Sequence, residues 1–252
     1  ARLGTLGGFQ NRLFCGGFIM NNKSDKRAGM YLIDKKYYPS VTQILSVIDK
    51  PAIRIWFGKQ VYMATALDPS ISEQQALSEP YKQNESAKSR GTAIHDIVEA
   101  WENTGRVAGL EGPFQGYARA FESWVKSNNI KILEHEQTVK SDKYRYAGTL
   151  DLLVKVNGDE KPTLIDVKTG KDIYPEAHLQ VSAYKQALSE SGIELQGAGV
   201  LLLQEDGTYK YEQAKDKLKT FLACKILWEG LNEELINKAN VEISKNLLQE
   251  IL

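Results

Sequence analysis

Cysteine is nearly absent from this chain. Its two copies, Cys15 and Cys224, lie far apart and belong to no C-x-x-C or Cys/His set, which argues against a disulfide framework, a structural zinc site and a cysteine-ligated iron–sulfur cluster. A reducing compartment such as a cytoplasm fits that usage. Charge of one sign is lacking too: 32 basic and 32 acidic residues leave a formal net charge of zero, so affinity for a polyanion must come from a local patch and not from a global field. No apolar run approaches the ~20 residues that span a bilayer. The mildly apolar stretch from Leu6 to Met20 is interrupted by Gln10-Asn11-Arg12 and has no basic leader or cleavage pattern, so it is not read as a signal peptide. Residues 1–19 are taken as an upstream extension. There is no internal repeat, no low-complexity tract and no G-x-x-x-x-G-K-[ST] phosphate loop, and the last absence excludes a fused nucleotide-driven motor.

What is present suits one α/β domain. A chain of 252 residues, 42% hydrophobic and 25% charged, can bury one sizeable core. Residues 31–38 read as a strand running into Pro39-Ser40, where Ser40 caps a helix through Val41, Ile44, Leu45 and Ile48. A second helix carries Ile53, Trp56, Phe57, Val61 and Met63 and stops at Asp68-Pro69-Ser70. The polar segment Ser72 to Ser89 reads as a loop with some helix; its Lys82, Lys88 and Arg90 are taken as solvated surface, with phosphate contact the alternative. Helices led by Gly91 and by Phe114 follow, the latter with Tyr117, Phe121 and Trp124 on one face and expected in the core.

The period then changes. Residues 131–140, 147–156 and 162–168 read as strands, followed by a helix over 175–191, an apolar strand 198–203, an edge strand 208–212 and two closing helices. That order predicts a mixed central sheet flanked by helices. The expected division is an N-terminal extension (1–30), a helical region (31–130), a core sheet and helix (131–212) and C-terminal helices (213–252), all in one compact body.

The chemistry concentrates between Gly148 and Lys168. Asp166 and Lys168 are two apart on an expected strand, so their side chains share a face while Ile165 and Val167 take the other. Asp151, on the preceding strand, can sit beside them. Two carboxylates at adjoining strand ends repel one another unless a cation joins them. Such a cluster suits a hard divalent cation with an ammonium near the water or phosphate it polarises, which points to metal-assisted phosphodiester hydrolysis. A structural ion pair is the plain alternative for Lys168. His95 and Glu99 lie one turn apart on the Gly91 helix, Glu134 and Glu136 alternate on the strand before Asp151, and Gln180 and Tyr184 share a face of the helix behind Lys168.

Taken together, Gly91-Thr92-x-x-His95, Gly148-Thr149-x-Asp151, Asp166-x-Lys168-Thr169-Gly170 and Gln180-x-x-x-Tyr184 resemble the RecB-like branch of the PD-(D/E)XK nuclease superfamily. The opening Tyr38-Pro39-Ser40-Val41-Thr42-x-Ile44-Leu45 is similar to that of phage-type and mitochondrial genome-maintenance exonucleases. The resemblance covers residues 37–205. It implies a restriction-endonuclease-like core with an added N-terminal helical region. It also implies a DNA nuclease whose Mg²⁺ or Mn²⁺, one ion or two, is held by His95, Asp151, Asp166 and the carbonyl of Val167. Lys168 would be catalytic beside Asp151 and Asp166, and Thr169, Gln180 and Tyr184 would bind substrate. Glu136 matches the upstream acid best, with Glu134 and Glu99 left as alternatives. The acid before the lysine is Asp where the superfamily name allows Asp or Glu, and the cysteines of the iron–sulfur subgroup are missing.

The leading expectation is a metal-dependent exonuclease on single-stranded DNA or DNA ends, in the cytoplasm of a bacterial or phage-infected cell or an equivalent DNA-containing compartment. It would work without a membrane and beside phage or host recombination and replication proteins. An endonuclease of restriction or junction-resolving type is the second reading. A catalytically silent nucleic-acid-binding module is the third, and the intact Asp151, Asp166 and Lys168 argue against it.

Overall fold

A computed structural model describes residues 25–27, 29–107, 112 and 114–241, with only the backbone of 25–27, 83–92 and 95. The reading of residues 1–19 therefore falls outside the described residues.

The described residues begin with a small antiparallel sheet of β1 (Asp25–Arg27), β2 (Met30–Ile33) and β3 (Lys36–Pro39). The single strand expected over 31–38 is a hairpin, because Asp34 and Lys35 both take positive φ (50° and 58°) and reverse the chain in two residues. Tyr31, Ile33 and Tyr38 bury against Ala147, so this sheet leans on the main one. Ser40 caps α1 (Val41–Ile44), its Oγ accepting from the Gln43 amide at 3.1 Å, and a 3-10 turn (Leu45–Val47) follows. α2 (Pro51–Leu67) and α3 (Glu73–Thr104) pack on one another.

α3 corrects the loop expected over 72–89. It runs unbroken for 32 residues, with Pro80 inside it and the separately expected Gly91 helix as its second half. A capping box starts it, Ser72 accepting from Gln75 and Gln75 returning the bond, and Gly105 ends it at φ 66°. Lys82 is exposed, in line with its solvated reading, and pairs with Glu79 one turn earlier.

α4 (Gln115–Ser127) buries Tyr117, Phe121 and Trp124, as their shared face predicts. The main sheet then forms from β4 (Ile130–Ser141), β5 (Tyr146–Val156), β6 (Thr163–Thr169), β7 (Gly197–Leu203) and β8 (Tyr209–Gln213), adjacent in that order. Only β6 and β7 run parallel, joined by α5 (Pro175–Glu190). α6 (Leu218–Leu231) follows, and the backbone is helical again over 233–241.

Alternation along β6 and β7 builds two cores. Leu164 and Val200 join α1, α5 and α6 on one face, while Ile165, Leu201 and Leu203 join α3 and α4 on the other. The result is the mixed sheet between helical layers that the order of elements predicts. Among the described residues no helix is long and apolar enough to cross a membrane.

Candidate active site

β5 and β6 are paired in register only where Leu152–Val154 meet Thr163–Ile165. Beyond that point they part, and β6 continues with β7 alone as far as Thr169 opposite Leu203. The parting leaves the amide of Val167 without a strand partner on the β5 side. Asp151 supplies one: its Oδ2 accepts from the Val167 amide at 2.7 Å. A carboxylate thus stands in for a strand at the fork, and its second oxygen is left for other business.

Across the fork, Asp166 is buried (1% exposed) and Lys168 sits beside it. Lys168 Nζ lies 2.9 Å from both carboxylate oxygens; its hydrogen bond goes to Oδ1, and buried Oδ2 has no donor directed at it. The same ammonium donates to Gln180 Oε1 at 3.2 Å, and Gln180 Nε2 donates to the Tyr184 hydroxyl at 3.1 Å. Tyr184 is 2% exposed, so its hydroxyl acts on Gln180. Its ring occupies the room left by Gly148, where a Cβ would come within 2.4 Å of Tyr184 Cε1. The Gly-Thr-x-Asp pattern therefore has a packing reason for its glycine.

Electrostatics follow from burial. Desolvation raises the Asp151 carboxyl against the pull of Lys168 and the Val167 amide, and it pushes Asp166 up to about 7 against the pull of Lys168, with the charge of Asp151 adding to the rise. For Lys168 burial pulls downward, but the charges of Asp166 and Asp151 outweigh it and leave the group above its ordinary value. Lys168 is accordingly an ammonium at neutral pH, a donor and not a base. Tyr184 is held well above the usual phenol range by burial.

A pocket of about 70 Å³ lies on the α3 side of the fork, lined by Ile94, Val98, His135, Asp151, Leu152, Val167 and Thr169. Its volume accommodates more than one water-sized species. A larger groove, about 530 Å³, lies on the α5 side and includes Glu176 and Gln180. The Asp166–Lys168 pair sits between these two openings in the chain of contacts from Asp151 to Gln180.

The expected residues separate into groups. Asp151, Asp166, Val167, Lys168, Gln180 and Tyr184 are brought together, and Thr169 lines the Asp151 pocket. His95 lies on α3, but its side chain falls outside the described residues, as do those of Lys88 and Arg90. Glu136 occupies an irregular point of β4: its neighbours His135 and Gln137 pair with Leu152 and Leu150, so it stands at the level of Asp151, with φ 50°. Its charge is felt by Asp151 and adds to the rise there. Glu134 belongs to a neighbouring cluster, raised first by burial and then by Glu102.

Sequence reasoning missed His135. Its Nδ1 lies 2.7 Å from Glu102 Oε2 on α3 while the ring lines the Asp151 pocket, and that pairing raises its pKa against the cost of burial. The available signal was weak: a histidine between two glutamates on the strand preceding Asp151.

Among the described residues no group of three or more His, Cys, Asp or Glu has the geometry of a complete cage. What the fork offers is two carboxylates made reluctant to ionise by burial, one buried oxygen without a donor, and the adjoining Val167 carbonyl. Hard oxygen donors in that number match Mg²⁺, which binds through one or two carboxylates and completes its shell with water and substrate phosphate. The residues fit such an ion.

A mixed sheet that forks over paired acids and a lysine brings together the groups that metal-assisted hydrolysis requires. The sequence matches the family model of the PD-(D/E)XK nuclease superfamily over residues 75–246, and the chain belongs to that superfamily. Membership supports a hydrolytic nuclease, of a kind that generally uses divalent metal ions. No curated protein matches the chain. Among solved structures it is similar to an alkaline exonuclease from Laribacter hongkongensis (11% identity, TM-score 0.37, covering 79% of this chain and all of that one). It is also similar to the structure of SSO0001 (16% identity, TM-score 0.32, covering 54% of this chain and 70% of that one). The family assignment rests on the sequence match alone.

Proposed function

We propose that the protein is a Mg²⁺- or Mn²⁺-dependent deoxyribonuclease of the RecB-like branch, an exonuclease that prefers single-stranded DNA or DNA ends. The observation that carries the reading is the fork itself, where Asp151 replaces a strand partner for Val167 and Lys168 is held between Asp166 and Gln180. The strand preference and the exonuclease mode come from the motif resemblance.

In this mechanism His95, Asp151, Asp166 and the Val167 carbonyl would hold the metal, with Glu136 as a further candidate. When bound, the ion neutralises phosphate charge and acidifies the attacking water. Lys168, released from part of its hold on Asp166, points its ammonium at the phosphate and stabilises the charge that develops there. Gln180 keeps that ammonium aimed, Tyr184 keeps Gln180 in place, and Thr169 borders the pocket beside Asp151. The charges of Asp166 and Asp151, which raise Lys168 in the metal-free protein, support its part as a donor. Work beside recombination or replication proteins, in a DNA-containing compartment, belongs to the same reading.

The test uses end-labelled single-stranded, linear duplex and closed circular DNA in Mg²⁺, Mn²⁺ or EDTA, with Asp166→Ala alongside. Metal-dependent loss of linear substrates with circles spared, abolished by Asp166→Ala, is the expected result. Cut circles would replace the exonuclease by an endonuclease, and binding without any cleavage would leave a silent binding module.

A further inference from the structure

α2 buries none of its residues. It meets α3 through a half-buried seam of Phe57, Gln60, Val61 and Ala64, with the Phe57 ring edge-on to Tyr81 at 5.4 Å. The rest of its surface is open and strongly apolar: Ile53, Ile55, Trp56, Tyr62, Met63 and Leu67 are all exposed. Ile53, Trp56, Met63 and Leu67 follow one another at helical spacing along one side of the seam. A stripe of that size on a water-facing helix marks a surface that something covers.

The start of the stripe opens into the larger groove. Ile53 and Arg54 of α2 line it together with Ile48 and Lys50, and Glu176 and Gln180 of α5 close its far side. Gln180 is the amide that holds Lys168. The groove therefore runs from Gln180, the residue bonded to Lys168, to the first turns of α2, and the stripe extends it.

We propose that this groove and the Trp56 stripe carry the single-stranded part of a nucleic-acid substrate away from the scissile phosphate, bases against Trp56 and phosphates on Arg54 and Lys50. The proposal rests on the nuclease reading and adds the surface that guides the strand. Charge and position favour a nucleic acid as occupant. Lys50, Arg54 and Lys59 supply cations along this path and α2 itself has no acidic residue, while Asp49 and Glu176 in the groove lining hold Arg54 and Lys50 until a phosphate takes their place. The groove also ends on Gln180, one hydrogen bond away from the ammonium that must meet a phosphodiester. Arg54 and Lys50 now pair with Asp49 (2.7 Å) and Glu176 (3.3 Å), but the first pair is exposed and the second partly so, and such pairs yield readily to a phosphate. Stacking on a lone exposed indole requires an unstacked base, hence a single strand.

The test uses the full chain carrying Asp166→Asn, in EDTA, with a fluorescent oligothymidylate read by anisotropy and by quenching of protein tryptophan. Trp124 and Trp228 are buried and Trp101 is half-buried, so Trp56 is the indole a base can reach. Trp56→Ala should weaken binding about tenfold or more, and Trp56→Phe should keep the affinity but lose the quench. Arg54→Ala should weaken binding to all sequences and lower the salt slope by about one. Unchanged far-ultraviolet circular dichroism and melting would show that these surface variants fold. Parental affinity and quench in all three variants would overturn the proposal and leave the nuclease reading intact. Trp56→Ala that changes the oligomeric state but not DNA affinity would assign the stripe to a second copy of the chain and also overturn it. Failure of the parent to bind or cut any DNA would remove the nuclease reading and the proposal together.

Discussion

Asp166 makes the metal-free protein's stability depend on pH in an unusual sense. An aspartate in the unfolded chain titrates near 3.9, whereas burial pushes the folded Asp166 up to about 7. The folded state thus keeps a proton that the unfolded state releases. The associated stability is fully present below about pH 4 and is lost as pH rises through about 7. A gap of about three pKa units corresponds to roughly 4 kcal/mol, undiminished by solvent because the side chain is 1% exposed. For a chain of this size that is a fall in Tm on the order of 10 °C between acid and pH 8.

The assay is urea or thermal unfolding in EDTA from pH 4.5 to 8.5, on the parent and on Asp166→Asn, whose amide has no proton to lose. His135, raised by its bond to Glu102, weakens the fold with rising pH in the same sense, and so does Asp151, so the diagnostic quantity is the difference between the two proteins. The parent should lose about 3 kcal/mol relative to Asp166→Asn across that range, the remainder having gone below about pH 4.5. Adding Mg²⁺ should restore the parent far more at pH 8 than at pH 5, because metal and proton compete for the same oxygens. A difference that stays flat from pH 5 to 8 would refute the claim that Asp166 is a buried, reluctant carboxylate.

Lys168→Ala should bind Mn²⁺ in a calorimetric titration yet cut DNA about 10²- to 10³-fold more slowly, as expected for a donor that acts on developing charge; loss of metal uptake would contradict that role. Gly148→Ala places a methyl 2.4 Å from the Tyr184 ring, which is too buried to swing away. A loss of about 1–3 kcal/mol in urea unfolding should result, with cleavage reduced as well because Gln180 loses its partner, and parental behaviour in both assays would show the ring to be free. Gly116→Ala on α4 tests packing away from the site: its Cβ would fall 1.6 Å from the Glu205 carbonyl oxygen. The ~1 kcal/mol helix gain of alanine should be overturned into a net loss of about 2 kcal/mol or more, and a stabilised variant would show that the loop after β7 yields.

What the sequence made legible, and what it hid, divides along a physical line. Elements with an apolar period were readable: β5, β6 and β7 lie within about a residue or two of their expected bounds, and Tyr117, Phe121 and Trp124 are in the core as their spacing requires. The first half of α3 was not, because nothing apolar repeats there; it is written in caps and local pairs, Ser72 with Gln75 and Glu79 with Lys82, which periodicity does not register. The hairpin at Asp34-Lys35 was hidden for a related reason, since neither residue is the Gly or Asn that usually announces positive φ.

The same division explains the site. The shared face of Asp166 and Lys168 follows from strand period alone, and the shared face of Gln180 and Tyr184 follows from helix period. The fork does not follow from any period. Asp151 reaches the Val167 amide only because β5 leaves β6 just before it, and that departure is a tertiary event that a spacing of fifteen residues cannot encode. His135 was invisible on the same grounds. Its place in the pocket depends on α3 bringing Glu102 across to hold the ring, a contact between segments more than thirty residues apart. Residues whose roles are set by one element's geometry can be read from the chain; those set by where two elements part or meet had to wait for the fold.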